Sequence, residues 1–184
     1  MTRSPERYGA AAIASHWLLA LLIAGNFAFG LYFIDLPFSP QKLKYFSWHK
    51  WAGAVVLPLA AVMLIVRLVR GTVPLPPHMP EWEKRASDWT HFLLYAFFFA
   101  SPISGWLYSS ATGFQTVLFG VLPIPDLLPK SRELAEPLKA AHRWINYALA
   151  ALVAFHAAAA VKHHLVDRDD VLARMLPFLK KSHS

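Results

Sequence analysis

HRWINYALAALVAFH, residues 142–156, has a histidine at each end and no charged residue from Trp144 onward. The spacing of His142 and His156 is four repeats of 3.5, so in a left-handed helical bundle both rings face the same interior seam. At 1.5 Å of rise per residue they stand about 21 Å apart along the helix axis. A titratable ring in such a stretch is costly unless its nitrogens are engaged.

The same pattern of long apolar runs recurs through the chain. Of 184 residues, 56% are hydrophobic and only 16% charged, with a mean hydropathy of +0.37. Tyr8 to Ile34, Trp51 to Val66, Trp89 to Pro125 and Trp144 to Val161 contain no Asp, Glu, Lys or Arg. A bilayer crossing takes about 20 such residues. Spans are therefore expected near residues 12–34, 48–69, 89–110 and 140–162, in an all-α, four-helix transmembrane bundle that forms a single domain. Four such helices could not all be buried in a soluble domain of this size. The first run is long enough to span and reads as a retained anchor. Residues 167–184 read as a mixed-charge tail, with an interfacial helix over 171–179. Asp35 to Gln41 reads as the first connection, and the longest loop is expected over residues 111–136.

Four spans put both termini on one side. Eleven of the 18 Lys and Arg residues fall on that side, among them Arg3, Arg7, Lys180 and Lys181. The other seven are Lys42, Lys44, Lys50, Lys130, Arg132, Lys139 and Arg143. The positive-inside rule then places both termini in the cytoplasm. Trp48, Trp51, Trp106 and Trp144 mark the outer helix ends, and Trp17, Trp82 and Trp89 the inner ones, as an interfacial aromatic belt requires.

Depth pairs the histidines. His16 lies just inside the cytoplasmic start of span one, level with His156; His49 opens span two at the outer face, level with His142. Zinc gathers three or four ligands at one point, whereas these residues divide into two couples at different depths. Two bis-histidine haems fit that division. The absence of cysteine excludes disulfides, thiolate metal sites and covalent haem attachment. Any haem is therefore non-covalent. Arg67 and Arg143 are the propionate partners suggested by depth. Gly25, Gly30, Gly53 and Gly105 offer close approach to a macrocycle or to a neighbouring helix. His91, His163 and His164 lie at the cytoplasmic edge, where a ring can meet a quinone head group or stand as an interfacial polar residue.

Ser15-His16-Trp17, His49 with Gly53, Ser101-Pro102-Ile103-Ser104-Gly105, the run Phe155 to His164 (FHAAAAVKHH) and Leu172 to Pro177 (LARMLP) resemble the bacterial cytochrome b561 family. That family includes the superoxide oxidases, and the likeness runs from about Tyr8 to Pro177. It implies a multi-pass protein of the bacterial inner membrane with two haem b groups on His16, His49, His142 and His156. It also implies electron exchange with ubiquinone, here assigned to His91, His163, His164 and Arg67. In the superoxide oxidase branch, superoxide is oxidised at the outer face.

The expected function is superoxide:ubiquinone oxidoreductase, with lipid, quinone and superoxide as partners and no nucleic acid. Lys42, Lys44, Lys50 and Lys130 would raise the encounter rate with a small anion. The alternative is a relay subunit that docks a dehydrogenase or hydrogenase and wires it to quinone. A flat apolar surface on the outer loop would favour that second reading.

Overall fold

The computed structural model describes residues 8–176, 178 and 179. Arg3, Arg7, Pro177, Lys180, Lys181 and His183 lie outside them. Four long helices follow in order: α1 (Ala10–Ile34), α2 (Pro40–Arg70), α3 (Glu81–Thr112) and α4 (Arg132–Lys162). Each is long and apolar enough to cross a membrane. Their large side chains mostly face outward: Leu21, Ile65, Leu68, Phe92 and Phe155 are all more than half exposed. In water so much exposed apolar surface would drive association; in hydrocarbon it is the solvated face of a spanning helix. The buried positions are correspondingly few, with Leu19, Val56, Ala60, Leu94 and Leu149 packing the interior.

Three of the helices begin earlier in sequence than the apolar pattern suggests. Span two was expected from residue 48, but α2 starts at Pro40, where Ser39 Oγ accepts from the Lys42 amide at 3.2 Å. Proline is favoured at a first helical position because its missing donor would be unpaired there anyway. Likewise α4 starts at Arg132, capped by Ser131 Oγ accepting from the Leu134 amide at 3.3 Å. The expected loop over 111–136 therefore contracts to residues 113–131. Helix α3 also starts ahead of its expected span, at Glu81, without a side-chain cap; polar residues can lengthen a helix beyond its apolar run, and hydropathy is blind to them.

That loop contains a short antiparallel hairpin, β1 (Val117–Leu118) with β2 (Leu122–Pro123), paired Val117 to Pro123 and Leu118 to Leu122. It follows Gly113, whose φ of 77° ends α3 in the left-handed region that favours glycine.

The C-terminal segment departs from expectation in a second way. After α4 comes one wide turn, His163–Asp167, then Arg168 with φ 54°. That left-handed residue stops the helix, and residues 171–175 form successive turns instead of the interfacial helix expected over 171–179. The tail is docked rather than free. Trp17 Nε1 donates to the Met175 carbonyl at 2.8 Å, and Arg174 pairs with Asp170 at 2.9 Å while its other nitrogen reaches the Pro74 carbonyl. These contacts hold the tail, the start of α1 and the α2–α3 connection at one end of the bundle, here called the terminal end; the other is the loop end. Trp17→Phe removes a bond worth about 1 kcal/mol. Tryptic cleavage at Arg168 and Arg174 in the folded, detergent-solubilised protein is then expected to quicken about fivefold.

Candidate functional site

Two histidine couples lie inside the bundle. At the loop end the ring centroids of His49 (α2) and His142 (α4) are 6.2 Å apart; at the terminal end those of His16 (α1) and His156 (α4) are 6.3 Å apart. An iron about 2 Å from one nitrogen of each of two imidazoles would separate their centroids by about 6 Å. Rings in direct hydrogen-bonded or stacked contact would approach more closely. Both couples therefore stand at the separation of a bridged pair.

Glycines give the rings of the loop-end couple their room. A Cβ added at Gly105 would lie 3.0 Å from His142 Cε1, and one at Gly30 would lie 3.1 Å from His49 Cε1. Those two glycines hold open the space that the rings of the loop-end couple occupy. Gly25 and Gly53, the other expected small residues, meet nothing within 4 Å. Among the described residues, His16 Nδ1 and His49 Nδ1 are buried with no hydrogen-bond partner. Buried polar atoms without partners are rare, and these two rings lack the outer hydrogen bond that Nδ1 of His142 makes.

His142 is held differently. Its Nδ1–H donates to the Ser101 carbonyl at 3.1 Å and lies 2.9 Å from Ser104 Oγ, which itself donates to that same carbonyl at 2.8 Å. Asn146, one turn along α4, donates through Nδ2 to the His142 carbonyl at 2.7 Å and accepts from Ser101 Oγ at 2.7 Å. A proton fixed on Nδ1 leaves the lone pair on Nε2, with Asn146 Nδ2 at 3.5 Å; a proton held on the outer nitrogen is the arrangement that orients a metal-ligating histidine. This network gives physical content to the motif Ser101-Pro102-Ile103-Ser104-Gly105: a carbonyl and a hydroxyl grip the ring, and a glycine makes room for it.

The terminal end is richer in polar groups. The His91 ring centroid is 5.3 Å from that of His156, and His91 Nδ1–H donates to the Ser87 carbonyl at 2.8 Å. The Arg67 guanidinium lies over the Tyr95 ring, 5.8 Å from its centroid. His163 Nδ1 lies 2.8 Å from Asp169 Oδ2 and 3.0 Å from Asp167 Oδ2. Lys162 Nζ bridges Glu83 and Asp167 at 2.8 Å each. Glu83, His163 and Asp167 have the donor types and spacing to ligate a cation, but the Lys162 ammonium already stands between the two carboxylates. His164 Nδ1 is buried with no partner among the described residues. Sequence reasoning passed over these carboxylates, although His163 and Asp167 stand at the i, i+4 spacing that places side chains together on a helical turn.

The basic residues of the loop end divide in two. Lys42 Nζ donates to the Ile34 carbonyl at 2.7 Å and also to that of Leu36, and Lys50 Nζ donates to the Phe114 carbonyl at 2.7 Å. Both cap main-chain acceptors. Lys44, Lys130 and Arg143 are exposed, and the aliphatic part of Lys130 packs over Gly113.

Gly105→Leu drives a side chain into the space of a His142 ring that two partners keep from retreating. The haem-to-protein ratio, measured as the pyridine haemochrome, is expected to fall.

The sequence comparisons agree with this architecture. The family model for prokaryotic cytochrome b561 matches residues 7–178. Cytochrome b561 homolog 2 of Escherichia coli (strain K12) is 33% identical over 183 residues, covering 95% of this chain and 94% of that protein. Cytochrome b561 homolog 1 of the same organism is 30% identical over 174 residues, covering 94% and 98%. A protein of Yersinia pestis named probable superoxide oxidase CybB is 28% identical over 177 residues, covering 94% and 97%. The chain belongs to the prokaryotic cytochrome b561 family, membrane electron-transfer proteins that carry haem b.

Proposed function

We propose that the chain is a di-haem b cytochrome of the bacterial inner membrane that takes electrons from superoxide at the loop end and passes them to ubiquinone at the terminal end. The observation that carries this reading is the pair of imidazole couples, 6.2 and 6.3 Å between centroids, at two depths of one bundle. When bound, haem b supplies a one-electron ferric–ferrous couple. His49 and His142 would hold the group at the loop end, and His16 and His156 the group at the terminal end. The Lys and Arg count of eleven against seven supports a cytoplasmic terminal end and a periplasmic loop end.

The chain's own residues support the chemistry at each end. Two superoxide anions each give up one electron and leave as oxygen; the two electrons and two protons convert one ubiquinone to ubiquinol. Lys42, Lys44, Lys50 and Lys130 make the loop end attractive to a small anion, with Lys44 and Lys130 the more accessible pair. Arg67 and Arg143 would meet haem propionates. At the terminal end His91, with its proton on Nδ1, offers Nε2 as an acceptor. His163, backed by two carboxylates, and His164 complete a polar end where quinone can gain protons. The relative named probable superoxide oxidase supports superoxide as donor.

The second reading, a relay subunit that docks a partner enzyme, is favoured by one observation. The hairpin loop carries exposed Phe114, Phe119, Val121 and Leu122.

Rapid mixing of the anaerobically purified protein with superoxide separates the two. Haem reduction followed by reoxidation when ubiquinone is present supports the enzyme; haem that stays oxidised leaves only the relay. A preparation with no haem absorption sinks both. His142→Ala is expected to remove only the loop-end haem and His16→Ala only the terminal-end one, read from the split of the α-band and the haem ratio. The double reversal Lys44→Glu and Lys130→Glu is expected to slow reduction by superoxide at low salt. That difference should shrink as the screening length falls toward about 8 Å at physiological ionic strength.

A further inference from the structure

Residues 113–125 of the loop, GFQTVLFGVLPIP, contain no charged side chain. For a connection facing water this is an unusual composition. The hairpin's tip, Phe119 to Leu122, is also its most exposed part: Phe119 is 62%, Val121 83% and Leu122 60% exposed.

Two tryptophans fix where this surface lies. Trp51 Nε1 donates to the Val117 carbonyl at 2.7 Å, and the Trp51 and Phe119 ring centroids are 5.5 Å apart. Trp106 Nε1 donates to the Pro125 carbonyl at 3.0 Å. Trp51 opens the charge-free run Trp51 to Val66 of α2. It therefore sits at the hydrocarbon boundary, where indole rings gather. A hairpin held to two residues of that belt lies level with it.

The backbone suits that position. Polar main-chain groups must be paired where water is scarce. The strand pairing is extended by Val121 N to Leu118 O at 3.0 Å, Gly120 N to Val117 O at 3.2 Å and Ile124 N to Thr116 O at 2.8 Å. Gln115 Nε2 donates to the Ile124 carbonyl at 3.2 Å. Phe119 and Gly120 have φ of 52° and 75°, both in the left-handed region, within the three-residue loop between Leu118 and Leu122. Asparagine is the usual non-glycine residue at such a site. Here a strained position carries a large apolar ring, which suits a lipid surface and not water.

We infer that this hairpin is immersed in the lipid interface at the loop end, with Phe119, Val121 and Leu122 in the bilayer as its partner. The inference stands on the spanning architecture alone and is independent of the electron donor. It removes the hairpin as a protein-docking platform.

The chain has no cysteine, so Val121→Cys and Leu122→Cys each create a single labelling site on the full protein. Nitroxide-labelled variants are reconstituted in phosphatidylcholine–phosphatidylglycerol vesicles and titrated with oxygen and with a water-soluble nickel chelate. Collisions dominated by oxygen at both positions, against chelate-dominated collisions at a Lys44→Cys control, are the expected result. Chelate access at position 121 or 122 equal to that of the control overturns the inference in favour of a water-facing loop. A label immobilised and shielded from both reagents overturns it in favour of a protein partner or a second copy.

Discussion

An imidazole inside an apolar bundle has two nitrogens to satisfy and little around it to satisfy them. That constraint organises the interior. Each of the four rings in the two couples comes from a helix that is otherwise committed to lipid, and each faces a ring on another helix about 6 Å away. The small residues nearest them, Gly30 and Gly105, are there because a side chain would collide with the rings. Around His142 the Ser101 carbonyl and the Ser104 hydroxyl engage Nδ1, and Asn146 donates to the residue's own main-chain carbonyl. Few large residues are fully buried in the described structure, so the histidine couples, more than an oily core, are what the helices are arranged around.

Much of this was open to reading because a membrane protein reduces position to depth. Runs without charge mark the spans, and a histidine's distance from the end of its run gives its level, which is how His16 was matched with His156 and His49 with His142. The same logic failed wherever the determinant was polar or main-chain. The extra turns of α2 and α4 depend on Ser39 and Ser131 as caps, and a hydropathy profile does not register them. The partner of His142 is the carbonyl of Ser101, an atom every residue possesses, so no pattern of side chains could announce it. The hairpin was hidden differently. Its apolar residues continue the uncharged run of α3, and only the left-handed Gly113 that ends the helix separates the two.

The terminal end shows how a reading can be right about type and silent about context. His163 was placed at the membrane edge from its distance along α4. Its environment of Asp167, Asp169, Lys162 and Glu83 depends on the wide turn after Lys162 and on the left-handed Arg168, which fold the tail back onto the helix end. Together with Trp17 on Met175, that fold makes the tail part of the bundle's floor. Any group that binds near His91 and His163 meets a surface built from α3, α4 and the tail.

The way the helices meet has a consequence for biogenesis. Neighbours in sequence pack along their lengths, and α3 with α4 most extensively, while α1 and α4 touch only sparsely. Yet each histidine couple takes one ring from the α1–α2 half and the other from α4. A chain leaving the insertion machinery therefore has two helical hairpins joined mainly through α2 and α3, and the α1–α4 seam that closes the ring is thin. A group held between the paired rings, as proposed above, would sew that seam shut. Quality control of this protein in the cell would then hinge on prosthetic-group supply: a copy starved of it presents a loose seam between α1 and α4, the kind of opening that membrane proteases recognise.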